Sequence, residues 1–203
     1  NFAAANGTAA GNHTGNGGVE NRDGWLVYDD GINVDAIGLT AGGSFYWGVM
    51  FPAGSYTGSQ LTKVSMYDYS AHNGEILIYQ GGDNAPGTLV GQQDYTCTGS
   101  EDFVEWTMST PVAIDPAQNL WIVMHNSNGQ YVASIADYCG DDNSQWISLD
   151  GSSWDGLYST TGGAIDGTWM IRAYVEEGGN TPGGGSNLNE LALPRESETI
   201  WSN

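Results

Sequence analysis

The chain has very few basic side chains. Its 203 residues carry 4 Lys and Arg against 24 Asp and Glu, which gives a formal net charge of -20, and Lys63 is the single lysine. Proteins bind nucleic-acid backbones and anionic membrane surfaces through clusters of Lys and Arg, so this composition argues against both partners. The partners that remain are cations, calcium above all, and neutral groups such as sugars, aromatic rings and other protein surfaces.

Long apolar runs are also missing. No stretch of about 18 consecutive apolar residues occurs, so no membrane-spanning helix and no membrane insertion are predicted. The chain begins at Asn1 without a charged and then apolar leader, which is typical of a mature or excised fragment. At 203 residues with 39 % hydrophobic content, the chain is long enough for one large domain with a substantial core.

Cysteine is also scarce in this chain. Cys97 and Cys139 are the two cysteines, and a pair in a lysine-poor chain rich in Gly, Asn and Thr predicts one disulfide. Two buried, reduced cysteines acting as small hydrophobic residues are the alternative.

Asn6 and Asn12 each begin an Asn-x-Thr acceptor sequence, which makes both candidate glycosylation sites. Together these features predict a secreted or cell-surface protein.

The middle of the chain has the pattern of an all-β domain. Short apolar or alternating segments, separated by turn residues roughly every ten positions, run through residues 24–177. This pattern predicts a two-sheet β-sandwich of jelly-roll type. Residues 61–67 and 75–79 flank the turn-forming residues 72–74, so we predict that they form a hairpin. A further strand is expected at 154–158, and 115–118 is helix-like for at most one turn.

Two extended segments of different character flank this domain. Residues 1–23 are rich in Asn, Gly and Ala, residues 178–186 have the composition of a flexible Gly-rich linker, and residues 187–203 follow as an extended segment. A tethered strand of this kind pairs with an exposed sheet edge, either on its own domain or on a neighbouring copy, and we expect the neighbour. The apolar residues predicted to mediate this assembly are Leu188, Leu191, Leu193, Ile200 and Trp201.

A set of strand and turn sequences within the core resembles a known family. The stretches are 28–31, 45–52, 61–64, 79–82, 85–89, 118–121, 146–151 and 169–173. As a set they are similar to a β-sandwich module of secreted proteases, haemagglutinin-type adhesins and surface proteins of the Bacteroidetes group. The resemblance implies an extracellular, non-catalytic accessory module of adhesin type. It carries over no binding residues, and both terminal segments lie outside it.

Candidate catalytic residues form no recognisable constellation. His13, His72 and His125 have no metal-ligand spacing with another His or Cys, and no Gly-x-Ser-x-Gly sequence occurs. Adjacent carboxylates such as Asp141 and Asp142 are expected by chance among 24 acidic residues. Glycoside hydrolysis also needs two carboxyl groups at a defined separation, which a sequence does not show. We therefore predict that the protein is not an enzyme.

Calcium is the cofactor that the composition favours. Asp-rich turns offer the hard oxygen ligands that calcium prefers, and a bound ion reduces self-repulsion in an acidic chain. We predict a structural calcium at Asp141, Asp142 and Asp150, because Cys139 would fix this segment. Asp-Gly and Asp-Asn pairs are also common turn formers without any ion, which is the alternative.

Aromatic side chains in loops are the candidate ligand-binding residues. Trp154, Tyr138 and Tyr158 lie in or beside loops rich in Gly, Ser and Asp, where an exposed ring can stack on a sugar. Packing in the core is the alternative, since most of the other tryptophans fall within predicted strands.

Two functions follow from these features. The first is a non-catalytic extracellular surface or structural subunit that associates with copies of itself through its extended termini, as a filament or surface layer. The alternative is a carbohydrate- or protein-binding adhesin module, cut from a larger secreted protease or haemagglutinin, with glycans or host proteins as partners.

Overall fold

A computed structural model describes residues 1–7, 18–22 and 24–177. The strands are β1 Phe2–Ala4, β2 Glu20–Arg22, β3 Trp25–Val27, β4 Asp35–Leu39, β5 Tyr46–Phe51, β6 Gln60–Asp68, β7 Ala71–Gln80, β8 Thr88–Thr98, β9 Asp102–Ala113, β10 Leu120–Asn126, β11 Ala133–Ala136, β12 Trp146–Ser148, β13 Asp155–Gly156, β14 Thr168–Trp169 and β15 Ile171–Glu176. A 3-10 turn spans Asp142–Ser144, and the helix α1 spans Leu157–Thr160. Neither of these described helices is long and apolar enough to cross a membrane.

The strands form an all-β sandwich, which confirms the predicted fold class. A six-stranded sheet has the order β13-β12-β5-β10-β7-β8, a five-stranded sheet the order β2-β3-β15-β6-β9, and a four-stranded sheet the order β1-β4-β11-β14. All of the pairs are antiparallel. One cluster of buried side chains, drawn from all three sheets, forms the core.

The structure has three sheets where the sequence predicted two, because one strand changes sheet. β14 pairs with β11, whereas β15, one residue later, pairs with β6. Met170 lies at the break, where its N–H donates to the Ser134 carbonyl at 3.1 Å and its carbonyl accepts from the Tyr67 N–H at 3.2 Å. The four- and five-stranded sheets are therefore joined through Met170, and they share the core with the six-stranded sheet.

The predicted hairpin between residues 61–67 and 75–79 is wrong. β6 pairs with β15 and β9, while β7 pairs with β10 and β8, so the chain crosses between sheets at Tyr69 and Ser70. Residues 72–74 lie inside β7 rather than in a turn. Gly74 is needed there because a β-carbon would collide with the His125 carbonyl oxygen and the Tyr95 ring. An alternating pattern looks the same whichever sheet a strand joins.

Two shorter predictions have mixed outcomes. The strand expected at 154–158 is limited to Asp155 and Gly156, because α1 begins at Leu157. Residues 115–118 form a single turn, in which the Gln118 N–H donates to the Asp115 carbonyl at 3.0 Å.

The described parts of the N-terminal segment belong to the sandwich. β1 pairs with β4 and β2 pairs with β3, and the Phe2 ring packs edge-on against Phe45 at 5.2 Å. Asn6, a predicted glycosylation site, is exposed, and its backbone N–H donates to the Asp35 carboxylate at 3.0 Å. The predictions that lie outside the described residues are Asn12, the linker 178–186 and the assembly residues Leu188, Leu191, Leu193, Ile200 and Trp201.

A buried ion pair joins the loop after β3 to β15. The Asp29 side chain is 0 % exposed, and the Arg172 Nε donates to its Oδ2 at 3.0 Å. The Arg172 guanidinium also lies 3.6 Å from the centroid of the Phe103 ring. Because a buried carboxylate needs a compensating partner, Arg172 is a structural requirement of the sandwich.

We predict that Arg172→Met lowers the free energy of unfolding by about 3–5 kcal/mol, because it leaves the Asp29 carboxylate buried and without its cation. Arg22→Met is the matched control: its pair with Glu20 is half exposed, with side-chain exposures of 50 % and 61 %. Exposed pairs contribute only about 0–1 kcal/mol. Chemical denaturation of both variants measures the difference, and equal small losses would contradict the prediction.

Candidate functional site

A buried cluster of titratable side chains lies where β6, β7 and β8 meet. The ligand-type atoms of Asp68, His72 and Cys97 lie within 4.8 Å of one another. The Asp68 carboxylate accepts from three consecutive backbone N–H groups, those of residues 98–100, at 2.9 to 3.1 Å. His72 Nδ1 lies 2.7 Å from the Ser70 carbonyl, and its Nε2 lies 2.9 Å from the Tyr95 hydroxyl. Since a carbonyl only accepts, Nδ1 carries the hydrogen and Nε2 accepts from Tyr95.

This cluster has the residue types of a nucleophile and its base, but not the required exposure. Cys97 is 4 % exposed, and burial raises the pKa of its thiol far above the usual range. The thiolate is the reactive form of cysteine, so this thiol is held in its unreactive form. The donor and acceptor atoms of Asp68 and His72 already carry hydrogen bonds within the protein. The cluster is therefore a structural network inside the core.

The predicted disulfide between Cys97 and Cys139 is wrong, because both cysteines are unpaired. Cys97 lies on β8 and packs in the core of the sandwich. Cys139 follows β11, where its N–H donates to the Thr168 hydroxyl at 2.9 Å and its Sγ lies 3.5 Å from Ser144 Oγ. Composition gives only the number of cysteines, whereas a disulfide depends on the distance and direction between two Cβ atoms.

The three aspartates predicted to bind calcium make local hydrogen bonds in the structure. The Asp141 carboxylate accepts from the Asn143 N–H at 2.9 Å, and Asp142 accepts from the Tyr138 hydroxyl at 2.8 Å. Hydrogen bonds from the Ser153 and Ser152 N–H groups lower the pKa of Asp150 to about 2. Within the described ranges, the one group of three side chains close enough to share an ion does not include these aspartates. Calcium binding there stays a prediction.

An aromatic surface covers the outer side of the six-stranded sheet. Alternate residues of β5 and β10 face the core, as Trp47 and Ile122 do, so their neighbours face outward. We call this group of rings the aromatic face. Its members are the outward-facing strand residues Tyr46, Tyr79, Trp121 and Trp146 and the loop residue Trp154. Trp121 is fully buried at the centre, and the other four rings are half-buried around it.

Four rings of the aromatic face, those of Tyr46, Trp121, Trp146 and Trp154, are linked by ring contacts. The centroid of the Trp121 ring lies 5.2 Å from that of Trp146 and 6.1 Å from that of Trp154. Trp154 in turn packs edge-on against Tyr46 at 6.3 Å. These separations lie within the range in which aromatic pairs attract one another, so the rings support each other as one surface.

Hydrogen bonds fix the orientation of these rings. The indole N–H groups of Trp154 and Trp121 each donate to a backbone carbonyl at 3.1 Å, that of Gly151 and that of Gly82 respectively. Tyr46 stacks on His125 with the ring centroids 4.1 Å apart, and His125 Nδ1 lies 3.1 Å from the Glu75 carboxylate. A surface held in this way loses little conformational freedom when a ligand binds.

A small pocket continues the aromatic face at the edge of the sheet. Its volume is 210 Å³, and we call it the edge pocket; it is lined by Asp142, Gln145, Trp146, Asp155, Gly156, Tyr158 and Ser159. Trp146 belongs to both the face and the pocket. The pocket lies where the 3-10 turn, β12, β13 and the start of α1 meet, so its walls come from four short consecutive elements of the chain.

The three predicted stacking residues lie in different places, and Tyr138 belongs to neither the aromatic face nor the edge pocket. Trp154 belongs to the aromatic face, Tyr158 lines the edge pocket, and Tyr138 donates its hydroxyl to Asp142. Burial and this hydrogen bond raise the pKa of Tyr138. The other rings of the face were not predicted as site residues, because tryptophans within strands were expected to lie in the core. The available signal was an aromatic residue beside a second large apolar one, as in Tyr46-Trp47, which indicates a strand covered on both sides.

Comparisons with known proteins show a likeness of fold. No family model and no curated protein matches the chain. The chain is similar to the crystal structure of the cysteine protease and lectin-like domains of Cwp84, a surface layer associated protein of Clostridium difficile, with a TM-score of 0.53 and 11 % identity. The match covers 70 % of this chain and 34 % of that one, in the lectin-like domain. It shows a likeness of β-rich fold, with nothing specific to the Bacteroidetes modules.

We predict that acid weakens the fold through the buried cluster. Burial raises the pKa of Asp68, but the N–H donors outweigh it and the pKa is lowered, while burial lowers the pKa of His72. The stability from Asp68 is therefore lost as pH falls through its lowered folded-state pKa. The stability contributed by His72 declines once the pH drops below the pKa of a histidine in the unfolded state, about 6.5, because only the unfolded state then takes up the proton.

Melting temperatures measured from neutral to acid pH test this prediction. Wild type should lose stability steadily on acidification, and Asp68→Asn should be less stable at neutral pH with a shallower decline. Asp94→Asn, which removes a charge from the exposed side of β8, is the control and should follow wild type. An Asp68→Asn profile parallel to wild type at every pH would contradict it.

Proposed function

We propose that this domain is a non-catalytic module of an extracellular surface protein that binds neutral glycans on its aromatic face. The observation that carries the proposal is the row of half-buried rings on the outer side of the six-stranded sheet. A soluble domain that only needed to close its core would place polar residues on this side of the sheet. Large apolar surfaces rimmed by polar groups are typical of binding sites.

The chemistry of the face suits a sugar. The apolar C–H side of a sugar ring packs on Tyr or Trp, while its hydroxyl groups need donors and acceptors at the rim. Glu75 and Tyr79 lie on the same outward side of β7, with Leu77 between them, so a carboxylate and a ring belong to one surface. The net charge of -20 repels sulfated and sialylated chains. A neutral glycan is therefore the ligand class that matches both the rings and the charge.

Two further features support a binding module rather than an enzyme. The thiol and imidazole of the buried cluster are closed off from solvent, so that cluster has no access to a substrate. The fold is similar to that of a lectin-like domain from a surface-layer associated protein, and a cell-surface location is consistent with that likeness.

We predict that the purified domain binds neutral glycans on an array and that Trp154→Ala and Tyr79→Ala each weaken the affinity by about tenfold or more, the usual cost of removing an aromatic contact at the centre of an interface. Trp25→Ala is the matched control, since this half-buried ring packs against Tyr174 in the five-stranded sheet. Calorimetry with the best array ligand measures the change. Equal affinities in all three variants would count against the aromatic face.

Association of copies through the termini is the second candidate function. β8 is the outer strand of the six-stranded sheet, and it exposes two large apolar side chains, Leu89 at 44 % and Val90 at 40 %. An exposed apolar edge is a template for an added strand. Residues 187–203 of a neighbouring copy are the occupant that we propose, because their apolar residues and glycine-rich tether suit strand addition.

We predict that the full chain forms concentration-dependent oligomers and that a chain ending at Glu177 is monomeric, as measured by light scattering. The double variant Leu89→Lys and Val90→Lys in the full chain should also be monomeric, since charge on an edge strand blocks pairing. A full chain that stays monomeric at every concentration tested would remove this candidate and leave the glycan-binding proposal untouched.

A further inference from the structure

We infer that the edge pocket is a subsite for a single neutral sugar unit, held by hydrogen bonds from Gln145 Nε2 and Trp146 Nε1. This inference rests on the proposed glycan-binding function and names the part of the site that selects the ligand. The aromatic face offers stacking, which is tolerant of sugar identity. The edge pocket offers directional hydrogen bonds, which depend on where the hydroxyl groups of the sugar lie.

Gln145 supplies the first donor. Its side chain is almost fully buried, at 1 % exposure, and its Oε1 accepts from the Tyr158 N–H at 3.0 Å. A backbone N–H only donates, so this bond fixes the orientation of the amide and leaves the NH₂ group at the other end. Among the described residues, Gln145 Nε2 has no hydrogen-bond partner.

Trp146 supplies the second donor. Its indole Nε1 is buried and finds no acceptor within the described part of the chain. By contrast, the indole N–H groups of Trp121, Trp154 and Trp169 each donate to a backbone carbonyl. Folded proteins pair nearly all buried donors, and each exception needs an explanation. Two consecutive exceptions, both from residues that line one pocket, point to an acceptor from outside the chain, which reaches these buried atoms when the side chains that cover them shift.

The remaining lining residues define what that acceptor belongs to. Asp155 and Asp142 contribute carboxylates, and Asp155 is already held by the Gly156 N–H at 2.8 Å and the Ser159 hydroxyl at 2.9 Å. These carboxylates repel an anion, whereas the N–H donors oppose a cation. A ligand group that suits the carboxylates and the N–H donors is neutral and can accept as well as donate a hydrogen bond, as a hydroxyl group does.

The size and place of the pocket narrow the ligand to one sugar unit. Its 210 Å³ is below the roughly 300–1,000 Å³ of pockets for drug-sized ligands. The rings of Trp146 and Tyr158 give it apolar walls for the C–H side of the unit. Because Trp146 also belongs to the aromatic face, a glycan stacked on the face has a direct path for a terminal or branching unit into the pocket.

Nuclear magnetic resonance of the labelled wild-type domain tests the inference without any substitution. The probes are galactose, glucose, mannose, N-acetylglucosamine and lactose, each added alone. The glycan that binds best on the array is a further probe. We expect saturable shifts of the assigned Trp146 indole and Gln145 side-chain amide signals, together with those of the aromatic face. Shifts confined to the aromatic face would overturn the subsite, with the edge pocket then holding water only.

Two substitutions test the donors by affinity. Trp146→Phe keeps an aromatic wall but removes the N–H, and Gln145→Glu keeps the acceptor for Tyr158 but replaces the donor; each should weaken binding by about tenfold. Gln92→Glu adds the same charge at an exposed position of the same sheet and should bind as wild type does.

The outcomes separate this inference from the function on which it rests. If Tyr79→Ala weakens binding while Trp146→Phe and Gln145→Glu bind as wild type, the subsite is wrong and the glycan-binding proposal stands. If wild type binds no neutral glycan at all, the proposed function fails and the subsite fails with it.

Discussion

The central strand of the six-stranded sheet is apolar on both sides, and this is the constraint on which the site depends. Along β10, Leu120, Ile122 and Met124 face the core while Trp121 and Val123 face the other way, and all five are fully buried. The core side is covered by the two other sheets. The outer side has no such layer in the described chain, so its apolar area is covered by the chain's own aromatic side chains. The rings around Trp121 that form this cover remain half-buried, which is why we propose them as the contact surface for a glycan.

Acidity imposes a second constraint, because carboxylates in this chain have few cations to pair with. Asp29 has Arg172, but Asp68 is compensated by three backbone N–H groups and Asp150 by two. Backbone donors solvate a carboxylate without a positive charge, provided that the turn holds several of them at one point. The carboxylates thus receive hydrogen bonds while the chain keeps its negative charge. The outer surface therefore stays unfavourable to anions.

These constraints bear on function together. The aromatic surface has acceptors at its rim and unpaired donors at one end, and this combination supports the proposal of a neutral, hydroxyl-rich ligand. The turns shaped by Asp141 and Asp150 position the two loops that border the surface, since Asp141 begins the 3-10 turn before Gln145 and Asp150 orders the loop that delivers Trp154. Aspartates that the sequence indicates as calcium ligands therefore have a structural role at the same place.

The sequence alone determined the local properties of the chain. Alternation and turn residues predicted the all-β class and the positions of most strands, because side-chain direction in a strand follows the backbone period. Only the tertiary structure decided which sheet each strand joins, as with β6 and β7, whether Cys97 meets Cys139, and that Trp146 faces outward beside Gln145. Each of these depends on contacts between residues distant in sequence, and a period of two residues is the same for a strand in any sheet and for either of its faces.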